Sequence, residues 1–157
     1  MAIRKVVQEG DEILRKISKP VKDFDENLWT LLDDMKETMH QNNGMGLAAV
    51  QVGILKRVII IEANNMFMEL INPEIISQNG SDIEQEGCLS CGKRCEYVKR
   101  PMEVTVKAQD RLGYDFTITG EKYLARVLCH EIDHLNGILF IDKIEKDYKG
   151  EWWKLCF

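Results

Sequence analysis

The segment from Thr119 to about Asn136 places the strictest limit on how this chain can fold. Its apolar residues recur with the 3.6-residue period of an α-helix, and Gly137 follows where helices commonly end. The same segment contains the sequence HEIDH at positions 130–134. Because residues four apart lie one turn apart on one helix face, both imidazoles can reach a single ion, with Glu131 beside them to carry a proton. The sequence therefore predicts a helix that carries a metal site.

A catalytic metal site usually has three protein ligands and one position for water, so one more ligand is needed. Downstream of the helix no further histidine occurs, and Asp142 and Glu145 are candidates there. Upstream, Cys88 in the sequence EGCLS (86–90) offers a thiolate within a glycine-containing turn. A set of one cysteine and two histidines suits a soft divalent ion such as iron or zinc. The residues alone leave all three candidates open.

The rest of the chain is predicted to be a mixture of one helix and several strands. An amphipathic helix is predicted over residues 25–41, with Asp25 as its N-cap. Strands are predicted at 58–61, 67–71, 96–98, 103–107 and 114–118. Strands that precede a helix without regular β-α alternation are typical of the α+β class. Because no repeat or linker interrupts the 157 residues, residues 1–157 are predicted to form one domain.

Composition argues against several classes of protein. The 21 basic and 26 acidic residues give a net charge of −5 and are interspersed, so the basic surface typical of nucleic-acid binding is missing. The longest strongly apolar run, 58–61, is far shorter than the roughly 20 residues of a membrane helix. The N-terminus lacks an apolar signal stretch, which predicts a cytoplasmic protein. The five cysteines are therefore expected to be thiols.

Three segments resemble, in the same order, the signature motifs of the peptide deformylases: GMGLAAVQ at 44–51, EGCLS at 86–90 and HEIDH at 130–134. The resemblance extends over nearly the whole chain. It implies an α+β fold in which antiparallel sheets pack around a central, metal-binding C-terminal helix. It also implies a hydrolase that removes the N-formyl group from the formyl-methionine of nascent polypeptides and releases formate.

The resemblance implies a role for each motif residue. Cys88, His130 and His134 would hold one divalent ion, natively Fe²⁺, with Zn²⁺, Ni²⁺ or Co²⁺ as replacements. Glu131 would act as general base and then as general acid. The side-chain amide of Gln51 and the backbone N–H of Leu89 would stabilise the negatively charged oxygen of the tetrahedral intermediate.

Substrate contacts are expected around the same motifs. Gly46 lets a peptide backbone approach closely, so its stretch can pair with the substrate like an added strand. The residues expected to contact the substrate are Met45, Gly46, Gly87, Val127 and Leu128. Glu86 is expected to orient a ligating imidazole, and Arg100 is expected to pair with Asp133.

The chain departs from the family after Ser90, where Cys91-Gly92 replaces the usual aliphatic residue and proline. The spacing of Cys88, Cys91 and Cys95 is by itself compatible with a zinc or iron–sulfur ligand set. We interpret Cys91 and Cys95 as free thiols, because such a cluster would leave both helix histidines unexplained. Two alternatives stay open: another HExxH metallohydrolase or peptidase, and a non-enzymatic metal or redox sensor that uses the three cysteines.

The expected partners are N-formylmethionyl nascent peptides, with neither nucleic acid nor a membrane as a direct partner. Docking on the ribosome near its exit tunnel, known for some family members with a basic C-terminal helix, stays open. The C-terminal segment of this chain, from Lys143 onward, mixes basic with acidic residues and does not decide the question.

Overall fold

The computed structural model describes residues 1–148, which contain two α-helices and seven β-strands. The helices are α1 (Glu26–Gln41) and α2 (Tyr123–Leu135). The strands are β1 (Gly46–Ala48), β2 (Val58–Ala63), β3 (Met66–Asn79), β4 (Asp82–Glu86), β5 (Glu96–Arg100), β6 (Glu103–Gln109) and β7 (Asp115–Glu121). Five strands form a sheet in the order β1-β2-β3-β6-β7, β4 pairs with β5, and all of these pairs are antiparallel. The predicted α+β class is confirmed.

Strand β2 is buried on both faces because a helix packs on each side of it. Ile59 and Ile61 lie in one apolar cluster with residues of α2, whereas Val58 and Ile60 lie in a second cluster with residues of α1. Successive side chains of a strand point to opposite faces, so a strand covered on both sides requires a continuous apolar run. The five-stranded sheet therefore separates the two helices.

Helix α1 begins at the predicted position. The side chain of Asp25 accepts a hydrogen bond of 3.2 Å from the backbone N–H of Leu28, which satisfies one of the free donors of the first turn. The buried apolar side chains of α1 are Leu28, Leu31, Leu32, Met35 and Met39. They form one face of the helix, as the amphipathic pattern predicts.

Helix α2 begins four residues later than predicted. Thr119 belongs to β7, which continues to Glu121 and pairs with β6. Lys122, with a φ of 53°, then turns the chain into the helix. Only Lys122 separates β7 from α2, so no turn or linker sequence marks the boundary between the strand and the helix.

Two strands beside the candidate site, β1 and β4, lie where the sequence analysis predicts none. Strand β1 has only three residues, and β4 has the largely polar sequence DIEQE. Strand β3 extends well beyond the predicted 67–71, through Pro73. Proline is tolerated there because the pairing of β3 with β6 shifts in register between Ile71 and Glu74.

Residues 149–157, which include Cys156 and the second half of the mixed-charge C-terminal segment, lie outside the described residues. Within residues 1–148, neither helix has the length and apolar character needed to cross a membrane.

Candidate metal centre

Three side chains from two distant parts of the sequence meet beside α2. Cys88 follows β4, and His130 and His134 lie one turn apart on the helix. One ligand atom from each residue lies within 4.8 Å of the other two, and no other such group occurs among residues 1–148. The Sγ of Cys88 is 3.4 Å from the Nε2 of His134. One sulfur and two imidazole nitrogens fit a tetrahedral ion that keeps a fourth position open.

A buried network of charged side chains orients His130. Its Nδ1 lies 2.8 Å from Oε1 of Glu86, so its Nε2 is the nitrogen left for an ion. The Glu86 carboxylate also accepts hydrogen bonds of 2.8 and 2.9 Å from Arg100 and one of 2.6 Å from Arg126. Arg100 in turn lies 2.6 Å from Asp133. The expected contacts of Glu86 and Arg100 are both present.

Burial and hydrogen bonding set the charges of these groups. Burial raises the pKa of Glu86, but its hydrogen bonds with Arg100 and His130 have the larger combined effect in the opposite direction. The pKa therefore lies below its ordinary value, and the carboxyl stays ionised. Burial lowers the pKa of His130, but the hydrogen bond with Glu86 and the negative charges of Glu131 and Glu86 together raise it above its ordinary value. Burial lowers the pKa of His134 well below its ordinary value. A neutral imidazole at His134 is the form that a metal ion binds.

Glu131 lies between the two histidines in sequence and is almost fully buried. Burial is the main cause that raises the pKa of its carboxyl to about 7. Its Oε2 is buried and has no hydrogen-bond partner within the part of the chain that the structure describes. A carboxyl group with a pKa near neutrality can accept a proton and later return it.

Gly46 of β1 lies directly against the Glu131 carboxyl group. A Cβ atom at position 46 would be 2.6 Å from Oε1 of Glu131, far inside normal contact distance. The sequence analysis expects this glycine to admit a substrate backbone. The structure gives a second reason for glycine at position 46, because any larger residue would displace the carboxyl group of Glu131.

Gln51 is fixed beside the sulfur of Cys88. Its Oε1 accepts a hydrogen bond of 2.9 Å from the N–H of Ala48, and its Nε2 donates to Oγ of Ser90 at 3.0 Å. The same nitrogen lies 3.4 Å from Sγ of Cys88. The amide is therefore held with one N–H directed into the candidate centre.

A cavity of about 590 Å³ opens beside these groups. The predicted site residues that line it are Met45, Gly46, Gln51, Gly87, Cys88, Leu89, Val127, His130 and Glu131. His134 joins the group through its contact with Cys88. The structure thus brings the three sequence motifs together at one cavity.

Leu128 lies elsewhere, contrary to the prediction. It is completely buried in the core beside Leu124, where both side chains approach Gly120 of β7. Successive residues of an α-helix point about 100° apart, so Val127 can face the cavity while Leu128 faces the sheet. Leu128 is therefore a core residue.

Two cavity residues on α2 were not predicted from the sequence. Arg126 lines the cavity and donates to Glu86, to the carbonyl of Val98 and to Asp82. Its position four residues before His130, on the same helix face, is a signal that could have identified it. Tyr123 also lines the cavity, and its hydroxyl contacts the sulfur of Met45. The remaining cavity residues are Gly44 and Glu86, which belong to the first two motifs, and six residues that no motif marks: Asn42, Asn43, Gly92, Lys93, Arg94 and Cys95.

The other candidate ligands do not join the centre. Asp142 is engaged by Arg15 at 2.5 and 3.1 Å, and neither Asp142 nor Glu145 belongs to the ligand group. Cys91 is a free thiol, as interpreted, but Cys95 is disulfide-bonded, so that part of the interpretation is wrong. A disulfide sulfur is not a thiolate ligand, which argues against a three-cysteine cluster. Compartment and cysteine count alone did not reveal this pairing.

Comparison with known proteins gives consistent results. The sequence model of the family "Polypeptide deformylase" matches residues 3–149. A peptide deformylase from Acetivibrio thermocellus is 56% identical over 144 residues, which cover 92% of this chain and 85% of the relative. The crystal structure of a peptide deformylase from Legionella pneumophila aligns with a TM-score of 0.89 at 48% identity, covering 92% of this chain and 87% of that one. The peptide deformylase structure from Thermotoga maritima gives a TM-score of 0.91 at 40% identity, over 92% of this chain and 99% of that one.

These matches confirm the predicted enzyme class and activity, the removal of the N-formyl group from nascent polypeptides. Neither the sensor nor another class of HExxH hydrolase accounts for relatives that match over nine-tenths of the chain. The chain belongs to the peptide deformylase family.

Proposed function

We propose that Cys88, His130 and His134 hold one divalent ion in this deformylase and that Glu131 transfers the proton during hydrolysis. The observation that carries the proposal is the meeting of three ligand atoms within 4.8 Å beside a buried carboxyl group with a pKa of about 7. When bound, the ion supplies Lewis acidity and makes water a better nucleophile near neutral pH.

Fe²⁺ is the ion proposed for the native enzyme, with Zn²⁺, Ni²⁺ and Co²⁺ as functional replacements. The support is the donor set, because a thiolate and two imidazoles bind soft, late divalent ions in preference to hard ones such as Mg²⁺. The neutral state of His134 and the firm orientation of His130 by Glu86 favour binding.

Glu131 carries the proton between the two halves of the reaction. Amide hydrolysis requires water to lose a proton as it attacks the formyl carbon, and the departing amine to gain one. The Oε2 of Glu131 has no protein partner among residues 1–148 and can serve both steps. Gly46 leaves the space that this carboxyl group occupies.

Negative charge develops on the formyl oxygen and requires donors that are already in place. The side-chain amide of Gln51 is held at both ends: its Oε1 accepts from the N–H of Ala48, and its Nε2 donates to Oγ of Ser90. The second N–H of Nε2 makes only the longer contact with the sulfur of Cys88, so it is available to donate to a substrate oxygen without movement of the amide. The backbone N–H of Leu89, in the turn that begins at Cys88, is the proposed second donor.

The substrate would occupy the cavity and the neighbouring sheet edge. Met45, Gly87 and Val127 line the cavity, together with Tyr123, and would surround the methionine side chain. Strand β1 is an edge strand of the five-stranded sheet, so its outer side can pair with an extended peptide. Gly46 on that edge would lie next to the formyl group.

We further propose that residues 1–157 act as one catalytic domain, with the sheets around α2, in the cytoplasm near the ribosomal exit tunnel. The support is that α1 and α2 both pack on β2, and that the substrate is a chain still being synthesised. Co-sedimentation of the enzyme with ribosomes carrying nascent chains tests the location.

The decisive test combines metal analysis of anaerobically prepared protein with an assay on formyl-Met-Ala-Ser. We expect about one divalent ion per chain, release of formate and a peptide with a free N-terminal methionine. Cleavage at an internal peptide bond would contradict the activity. Full activity of Cys88→Ala without bound metal would contradict the proposed ligands.

A further inference from the structure

The turn that carries Cys88 brings a second thiol next to it. The backbone N–H of Cys91 donates a hydrogen bond of 3.0 Å to the carbonyl of Cys88, which closes a four-residue turn. The Cα atoms at the ends of such a turn lie less than about 7 Å apart, which overlaps the range of about 4.4–6.8 Å that a disulfide spans. The side chain of Cys88 also packs against the apolar cluster that contains Cys91.

The two sulfurs face different surroundings. Cys88 lines the cavity, where small molecules can reach it. Cys91 does not line the cavity and is buried in an apolar cluster with Val98, Leu139 and Phe140. A reagent that enters the cavity can therefore react with Cys88 but does not reach Cys91 directly.

We propose that Cys88 and Cys91 form an oxidative modification site, at which a hydroperoxide converts the two thiols into an intramolecular disulfide. The Cys88 thiolate attacks the peroxide oxygen, the O–O bond breaks, and an alcohol or water leaves, so that Cys88 becomes a sulfenic acid. The Cys91 sulfur then attacks the Cys88 sulfur, the S–O bond breaks, and water leaves with the remaining proton. Two electrons pass from the two thiols to one peroxide.

Cys91 protects Cys88 from irreversible oxidation. A sulfenic acid without a neighbouring thiol proceeds with more peroxide to sulfinic and sulfonic acids, whereas a disulfide can be reduced again. The other described cysteines are not placed for this role, because Cys129 lies in a different apolar cluster from Cys91 and Cys88, and Cys95 is already disulfide-bonded. Release of the metal on oxidation is a second consequence, and it rests on the proposed function of Cys88 as a ligand.

The test uses the full-length, zinc-loaded protein, because zinc has no redox chemistry of its own. After treatment with hydrogen peroxide, blocking of free thiols and tryptic digestion, peptide 58–93 contains Cys88 and Cys91 and no other cysteine. We expect this peptide to lose the mass of two hydrogen atoms, to remain unblocked, and to recover both thiols with dithiothreitol. Zinc released into a colorimetric chelator should increase in parallel.

Cys91→Ser is the decisive variant and Cys129→Ser is its matched control. In Cys91→Ser the peptide should gain oxygen atoms at Cys88, and dithiothreitol should fail to restore zinc binding; the control should behave as the unaltered protein. Addition of oxygen without a disulfide in the unaltered protein would overturn the proposal, as would reversible oxidation of Cys91→Ser. A disulfide that forms while zinc stays bound would instead overturn the ligand role of Cys88 and leave the modification site intact.

Discussion

The candidate centre is held from two sides, and the two sides are stabilised in different ways. On the helix side, His130 is fixed by Glu86, which is itself buried and paired with Arg100 and Arg126. On the turn side, residues 88–95 hold the sulfur through a few backbone hydrogen bonds. The nearby ion pair of Arg94 with Glu96 is 3.1 Å long and partly exposed.

Glu86 and Glu96 make this comparison direct, because they are register partners on the paired strands β4 and β5. One carboxylate is almost inaccessible to water, and the other has a side-chain exposure of 33%. Removing one partner from a buried ion pair destabilises the fold because it leaves an uncompensated buried charge, whereas an exposed pair contributes little to the free energy of unfolding. We therefore expect the loss of a glutamate to destabilise the protein more at position 86 than at position 96.

The largest effect is expected on the helix side, at Glu131. Replacement of Glu131 by Gln removes the proton acceptor but keeps the size of the side chain. We expect kcat for formate release to fall about a thousand-fold, within the range known for the loss of a general base, while metal content stays the same. Steady-state assays and metal analysis check both, with Glu121→Gln, at the exposed end of β7, as the control. Retention of full activity would show that Glu131 does not carry the proton.

The next prediction concerns the strand that lies against that carboxyl group. In Gly46→Ala the new Cβ would lie 2.6 Å from Oε1 of Glu131, so the carboxyl group must move. A misplacement of this kind can reduce kcat by about 100-fold. In the control Gly44→Ala, the new atom meets Cδ1 of Leu89 at 2.8 Å, at the end of a side chain that can turn away. Equal losses in both variants would contradict a specific contact with Glu131.

A direct test of the two sides is the pair Glu86→Gln and Glu96→Gln. The first removes the buried charge that orients His130, and we expect metal affinity to fall about 10- to 100-fold. The second should leave metal affinity unchanged and lower the free energy of unfolding by less than about 1 kcal/mol. Competition with a chelator and thermal denaturation measure the two quantities. Similar results for both variants would remove the distinction between the two sides.

The last prediction concerns the pH dependence of the stability of the metal-free protein. The pKa of Glu131 is about 7 in the folded chain and 4.5 in its ordinary state, so the folded chain binds more protons between these values. The contribution of Glu131 to the free energy of unfolding is therefore complete below about pH 4.5 and is lost as the pH rises through 7. The free energy of unfolding should fall by at most about 1.4 kcal/mol per pH unit in this interval. Denaturation curves at several pH values should show this slope, and Glu131→Gln should lack it. Equal slopes for the unaltered protein and Glu131→Gln would mean that burial does not raise the pKa of the Glu131 carboxyl group.

The sequence was sufficient to predict the helix side of the site, because its residues are close in the chain. The shared face of His130 and His134 follows from their spacing and from helical geometry alone. The α+β class followed from apolar periodicity and turn residues in the same way. Elements that depend on local pattern are therefore the ones that a single sequence reveals.

The turn side and the buried network depend on contacts between distant residues. Strand β4 is polar in sequence and forms only because β5 pairs with it, and Arg100 and Arg126 are buried only because Glu86 lies between them. The disulfide at Cys95 and the core position of Leu128 likewise depend on tertiary packing. No local periodicity carries that information, which is why these features were missed or wrong.

The short length of β1 has a consequence for which sequences the enzyme accepts. An edge of three residues extends for about 10 Å, enough to pair with only the first few residues of an extended peptide. We therefore expect the enzyme to discriminate strongly at the start of a chain and to be indifferent to everything that follows. A processing step applied to many different newly made proteins requires that indifference, and a short sheet edge that pairs with the substrate would provide it.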